Sequence, residues 1–216
     1  MMKTFAIVPV KSFENAKARL STLLSADDRI HLSSLMLDDT LSLLAGVQTL
    51  QQTIVVSSDR RAEEITARNG AKFLHESKES GVNPAIMTAD SYCTKQGADA
   101  TVVIPQDLPL LDALDVSMAC DLAENEDNCI VICPSLRYDG TNLLLRKPPS
   151  VMKTYYDNDS YRTHMKAACE GGIPVKLFLS KKIMADIDTP EDVRQLANEA
   201  GSGKTLEFIR SKLGKL

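Results

Sequence analysis

The chain has 216 residues, of which 44% are hydrophobic and 25% charged, and its net charge at neutral pH is −4. That length suits one α/β domain over residues 1–216 and is short for two. The acidic balance excludes general nucleic-acid binding, which needs a basic face to replace counterions. With no run approaching the ~18 uninterrupted apolar residues of a membrane-spanning helix, neither nucleic acid nor membrane is an expected partner, and a cytoplasmic location is expected.

The apolar run Phe5-Ala6-Ile7-Val8 ends at Pro9 and Lys11 with no small-residue cleavage site beyond it. It marks a buried first strand, Phe5 to Val10, rather than a signal peptide. A helix is expected over Ala16 to Leu24. Ser25-Ala26-Asp27-Asp28 has the form of a capping box opening a second helix, with Leu37, Leu41 and Leu44 at helical spacing and Gly46 as its stop. Thr53 to Ser57 is a second strand, Arg61 to Asn69 a helix closed by Gly70, and Ala71 to His75 a third strand. Asn83 to Gln96 is helical, and Thr101 to Ile104 is a fourth strand that delivers Asp107 just past its carboxyl end.

Cys129 to Cys133 and Thr141 to Leu145 give two further strands, Ser160 to Cys169 a helix, and Val175 to Leu179 a last strand. Thr189-Pro190-Glu191-Asp192 caps a helix over Glu191 to Ala200, with proline at the first helical position, where its missing amide costs nothing. An amphipathic helix near Leu206 to Leu213 ends the chain. The leucine stripes of the second and last helices are expected in the core.

Alternating β and α units predict a doubly wound, mainly parallel sheet. Ligands bind such sheets beyond the carboxyl ends of the strands, where strand order reverses. If the first and fourth strands are neighbours, Lys11 and Asp107 face one crevice. The five cysteines form no CxxC pair and the three histidines stand at no zinc-ligand spacing from them, so buried free thiols are expected.

Three distant fragments carry chemistry. Lys11, Lys17 and Arg19 follow the first strand, where cations can neutralise a triphosphate and a departing pyrophosphate, although a solvated helix face has the same composition. Asp107 lies in Pro105-Gln106-Asp107-Leu108-Pro109, whose prolines stiffen the loop; its alternative role is to cap the helix beginning near Asp112. Asp186 and Asp188, two apart, project to one side of an extended chain and with Asp107 form a three-carboxylate candidate for a divalent metal.

Weaker features surround these. Asp139-Gly140-Thr141-Asn142 is either a type I′ hairpin turn or a cradle for a phosphate or carboxylate. Ser160, at a helix start with His164 one turn on, can help bind the same anion through helix amides. Asn83 can read a base edge or merely cap a helix. Gly201-Ser202-Gly203-Lys204-Thr205 imitates the end of a P-loop, but Asn198 stands where glycine is required and a helix precedes it, so it is expected to be a connector.

Taken together, Pro9-Val10-Lys11, Ala16-Lys17-x-Arg19-Leu20, Gly81-Val82-Asn83-x-Ala85, Asp107-Leu108-Pro109-Leu110-Leu111, Gly140-Thr141-Asn142, Ser160-x-x-x-His164 and Asp186-Ile187-Asp188-Thr189-Pro190-Glu191-Asp192 resemble, in order and over nearly the whole chain, the 2-phospho-L-lactate guanylyltransferase family, in an archaeal, methanogen-type form. The chain departs from the family pattern at Asp157, where glycine is common, and at Tyr161, where phenylalanine is frequent.

The resemblance implies a nucleotide-diphospho-sugar-transferase-like (Rossmann-like) fold and a Mg²⁺-dependent reaction of GTP with 2-phospho-L-lactate, on the way to coenzyme F420. Related members use phosphoenolpyruvate or 3-phosphoglycerate. It further implies Asp107, Asp186 and Asp188 as metal carboxylates, Lys11 and Lys17 on the phosphates, Thr141 and Ser160 on the phospho-acid, and a homodimer. Arg19 and Asn83 are the remaining nucleotide-side candidates. Rivals are a nucleotidyltransferase for CTP or a sugar phosphate, and a non-catalytic nucleotide-binding regulator.

Overall fold

The computed structural model describes residues 2–214. Seven strands form one sheet: β1 (Thr4–Pro9), β2 (Leu50–Ser57), β3 (Lys72–His75), β4 (Ala100–Val103), β5 (Cys129–Pro134), β6 (Thr141–Lys147) and β7 (Val175–Leu177), in the order β3-β2-β1-β4-β6-β5-β7. All run parallel except β6, which is antiparallel to both neighbours. The chain therefore travels outward from β1 through β2 to β3 and returns to β4 on the other side of β1. That reversal puts the switch point between β1 and β4, paired from Thr4↔Ala100 to Ile7↔Val103.

Alternate residues of the central strands bury into opposite layers, as the period of two requires. Ala6, Val8, Val102, Val131 and Leu145 meet α1 (Ala26–Leu44), α2 (Arg60–Arg68) and α4 (Ala113–Asp121), whose core residues include Leu37, Leu41, Leu44, Ile65 and Val116. Phe5, Ile7, Ile54 and Val103 meet α3 (Val82–Lys95), and Ile130, Ile132 and Leu144 meet α5 (Ser160–Glu170). A third cluster packs α7 (Pro190–Ala197) and α8 (Lys204–Leu213) on α1 through Leu32, Met36, Leu196, Leu206 and Ile209. Helices thus cover both faces of the sheet, and both leucine stripes are buried.

Ser25 Oγ accepts the Asp28 amide at the start of α1, and Thr189 with Asp192 forms a complete capping box on α7. Four expectations need correction. Ala16 to Leu24 is not an α-helix but carries a short 3₁₀ turn at Ala18–Leu20, after another at Phe13–Asn15, because Lys17 between them adopts φ +51°. The last strand stops at Leu177 and is followed by an unforeseen short helix, α6 (Lys181–Met184), capped by Ser180. The β5–β6 connection is no two-residue type I′ turn. It is a loop over residues 135–140, in which Ser135 Oγ accepts from the Gly140 amide and donates to Asp139, with φ +57° at Tyr138.

The thiols are the fourth. Cys93, Cys120, Cys129 and Cys133 are buried, but Cys169 is exposed. Burial pushes Cys93 up to about 12 and Cys120 and Cys133 up to about 11, which keeps them as unreactive thiols. Among the described residues, no helix is long and apolar enough to cross a membrane.

Candidate active site

The topology brings five segments to one rim of the sheet. The loop after β1 carries Lys11, Lys17 and Arg19, and the loop after β4 carries Asp107. Because β6 runs antiparallel, its beginning, Thr141-Asn142, lies at the end where the parallel strands finish. The helix α5 begins at Ser160, beside Thr141. Asp186 and Asp188 follow α6, and their segment joins the rim: the Ile187 amide donates to the Asp107 carbonyl at 3.1 Å.

In that segment Ile187 is buried in the core, while Asp186 and Asp188 are half-buried and meet Asn142 and Lys17 respectively. Lys17 Nζ donates to Asp107 Oδ2 at 2.5 Å and to Asp188 Oδ1 at 3.0 Å, and its side chain is only 12% exposed. Burial opposes its charge, but Asp107 and Asp188 outweigh burial and raise its pKa, so the ammonium is permanent. Arg19 stands outside, with its side chain 76% exposed and 3.8 Å from Asp188. Lys11 is exposed on the same loop.

Asp186 accepts from Asn142 Nδ2 at 3.2 Å, and Asn142 also donates to the Ile183 carbonyl at 2.9 Å. Burial, then the charge of Asp107, pushes the Asp186 carboxyl up to about 6. Asp192 fixes the neighbouring backbone: it accepts from the amides of Asp188 at 2.9 Å and Thr189 at 2.7 Å and pairs with Arg137 at 2.5 Å. Asn142 and Arg137 thus hold the acidic segment in place. Nothing local marks Arg137 in the sequence, and Asn142 stood out there only as part of a cradle. The helix-capping alternative for Asp107 is taken by Asp112, which accepts from the Leu114 amide at 2.8 Å.

As the side chains stand, no three His, Cys, Asp or Glu groups among the described residues are gathered for a metal ion. The donor chemistry nevertheless fits one. Asp107 and Asp188 present hard carboxylate oxygens toward one point, where both now meet the Lys17 ammonium, and Mg²⁺ needs only one or two carboxylates beside substrate oxygens.

Across the rim the groups are neutral. Thr141 Oγ1 lies 3.0 Å from His164 Nδ1 and accepts from Ser160 Oγ at 3.2 Å, while His164 Nε2 accepts from the Tyr155 amide at 2.8 Å. Asp159, before α5, places no side-chain cap on the helix amides. Asn83 is engaged at both ends of its amide: Oδ1 accepts from the Tyr156 amide at 2.8 Å and Nδ2 donates to Asp157 at 3.2 Å. It ties the start of α3 to the segment before α5. In the P-loop imitation, Gly203 has φ +146°, and the Lys204 and Thr205 amides are taken by Asp39, which makes it the connector expected.

Comparison with known proteins places the chain in a family. Residues 4–214 match the model of the family described as guanylyl transferase CofC like. The chain is 34% identical to a phosphoenolpyruvate guanylyltransferase of Conexibacter woesei, covering 90% of this chain and 87% of that one. It is 33% identical to a 2-phospho-L-lactate guanylyltransferase of Methanothermobacter thermautotrophicus, covering 97% and 91%. A solved structure from Desulfovibrio desulfuricans G20, described as a nucleotide-diphospho-sugar transferase, shares the fold with a TM-score of 0.80 at 18% identity over 99% of this chain and 96% of that one. The chain belongs to the CofC-like guanylyl transferase family and is a nucleotidyltransferase.

Proposed function

We propose that the chain transfers the guanylyl group of GTP to the phosphate of 2-phospho-L-lactate, giving lactyl-2-diphospho-5′-guanosine and pyrophosphate, a step toward coenzyme F420. An acceptor phosphate oxygen attacks the α-phosphorus in line. The bond to the bridging oxygen of the β-phosphate breaks, and pyrophosphate leaves with the electron pair. The acceptor phosphate is already ionised at neutral pH, so no general base is needed and the work is positioning and charge neutralisation.

Lys11, Lys17 and Arg19 neutralise the triphosphate, and Thr141, Ser160 and the start of α5 hold the acceptor. Asn83 serves indirectly, by fixing the turn before α3 against Tyr156. Asp107, Asp186 and Asp188 would hold a Mg²⁺ ion, which when bound supplies Lewis-acid charge at the reacting phosphoryl group. The observation that carries the reading is the meeting of Lys17 with Asp107 and Asp188, residues 90 and 171 positions away in sequence, on the rim beside the switch point.

A second acceptor, phosphoenolpyruvate, is favoured by the name of the Conexibacter woesei relative. It has the same phosphate and carboxylate on adjacent carbons. The test is pyrophosphate release from GTP and Mg²⁺ with each phospho-acid in turn. Turnover with 2-phospho-L-lactate supports the first reading, and faster turnover with phosphoenolpyruvate selects the second. Equal rates with CTP and GTP, or no release with any acceptor, would defeat both.

A further inference from the structure

We propose that His164 is a positioning residue for the acceptor: locked as its Nδ1–H tautomer, it donates to Thr141 and so leaves a hydroxyl proton of the Thr141–Ser160 pair for an oxygen of the bound phospho-acid. The proposal rests on the reading that Thr141 and Ser160 meet that phospho-acid.

The argument is an accounting of protons. A backbone amide can only donate, so the Tyr155 amide at 2.8 Å requires His164 Nε2 to be bare. The ring is fully buried, and burial, then the charge of Arg146, pushes its pKa down to about 4, so it is neutral at pH 7. A neutral imidazole with a bare Nε2 carries its proton on Nδ1, which faces Thr141 Oγ1 at 3.0 Å. The ring therefore gives a proton to the hydroxyl pair and takes none.

Thr141 and Ser160 hold two hydroxyl protons and share one bond of 3.2 Å. Whichever of them donates in that bond, the other proton is left over. With Ser160 donating, Thr141 Oγ1 receives two bonds, both of its lone pairs are used, and its own proton must find a different acceptor. The opposite tautomer would set Nε2–H against the Tyr155 N–H and draw a hydroxyl proton into Nδ1. Ring orientation is fixed as well, by edge contacts with Tyr155 at 6.0 Å and Tyr156 at 5.1 Å between centroids.

The arrangement has a ligand-facing consequence. The same hydroxyls stand at the beginning of α5, where Asp159 places no side-chain cap and the Tyr161 amide makes one long bond, 3.5 Å, to the Asp139 carbonyl. An anion there is met by a helix terminus and a hydroxyl donor, without a lysine or arginine in the bonded set.

The test has two arms. In the wild-type protein with ¹⁵N-labelled histidine at pH 7, long-range nitrogen–proton correlation should show His164 protonated at Nδ1 only, with the Hδ1 signal moving on addition of phosphoenolpyruvate or inorganic phosphate and not of GTP. Protonation at Nε2, or an Hδ1 signal that no phosphate compound moves, overturns the proposal. In kinetics, His164→Leu should raise the KM for the phospho-acid by about tenfold or more, with the KM for GTP within about twofold. His164→Asn, whose amide can still donate toward Thr141, should recover most of that loss. Equal changes in both KM values, or no rescue by asparagine in a folded variant, also overturn it. Should the leucine variant fail to fold, the wild-type spectra still decide. Absence of turnover with every acceptor would sink the proposed function while leaving the tautomer measurement intact.

Discussion

The two sides of the rim solve the same task, holding an anionic substrate, by opposite means. On one side two carboxylates, Asp107 and Asp188, lie close to one lysine and one arginine, and the groups are formally charged and partly open to water. On the other, a threonine, a serine and a histidine make a buried neutral chain of hydrogen bonds. Charge acts over distance and tolerates small displacements, but it is screened by ions. Neutral hydrogen bonds have no such reach and depend on which atom carries the proton. The difference teaches where each kind of substitution should hurt: loss of charge on the first side should strike turnover, and loss of a donor on the second should strike acceptor binding.

The largest effect should come from Asp107→Asn, which removes a charge from the metal-side corner without changing its shape. Turnover should fall by more than about a thousandfold, as expected when a charge-stabilising group at a phosphoryl centre is lost. Circular dichroism should be unchanged. An active, folded Asp107→Asn enzyme would take this residue out of the metal site. Next is Lys17→Met, for which kcat should drop by roughly 10²–10³-fold. The acceptor KM should change far less, because the neutral side keeps its donors. A purely acceptor-KM effect would break the contrast between the two sides.

Protonation separates them again, and with opposite sign. Asp186 has its folded pKa raised to about 6 above a normal value of 3.8, so between those values the folded metal-free protein binds the extra proton. Stability from this group is therefore present in acid and is lost as pH rises through 6. His164 has its folded pKa lowered to about 4 from 6.5, so the unfolded chain binds the extra proton, and stability present above 6.5 is lost as pH falls toward 4. Each contribution is on the order of 3 kcal/mol at most. Between pH 4 and 6.5 they oppose, so the urea midpoint should rise more steeply with pH in Asp186→Asn than in the metal-free wild type. In His164→Leu it should rise less steeply or fall. Parallel profiles for the two variants would mean that the two corners do not differ in this way.

Much of the scaffold was legible because the inner strands are buried on both faces and are written as short apolar runs, such as Phe5 to Val8 and Thr101 to Ile104. Capping residues marked the starts of α1 and α7 within a residue. Ala16 to Leu24 failed for a physical reason: alanine, lysine, arginine and leucine favour a helix, but carboxylates far along the chain hold Lys17 in a left-handed turn. Local propensity is a weak prior against such a contact. The Asp186/Asp188 pair was readable from its spacing, whereas its setting after a four-residue helix was not. Arg137 and the Asn142–Asp186 bond were hidden because each joins segments distant in sequence.

The smallest effect should come from a lysine–aspartate contact that belongs to neither side, which makes it a control on the comparison. Lys204 Nζ meets Asp38 at 2.5 Å, with the lysine side chain 63% exposed. Asp38 also accepts from Arg68 at 3.0 Å and Asn69 at 2.8 Å, so its buried carboxylate keeps partners when Lys204 is removed. Lys204→Met should cost about 0.5–1 kcal/mol, read as a small fall in the urea midpoint. The KM for GTP and kcat should be unchanged. Lys17 and Lys204 make the same chemical contact with an aspartate, so a large loss of turnover in the first and none in the second would locate the effect in the rim and not in ion pairing as such. A marked rise in the GTP KM of Lys204→Met would return Gly201-Ser202-Gly203-Lys204-Thr205 to consideration as a phosphate loop.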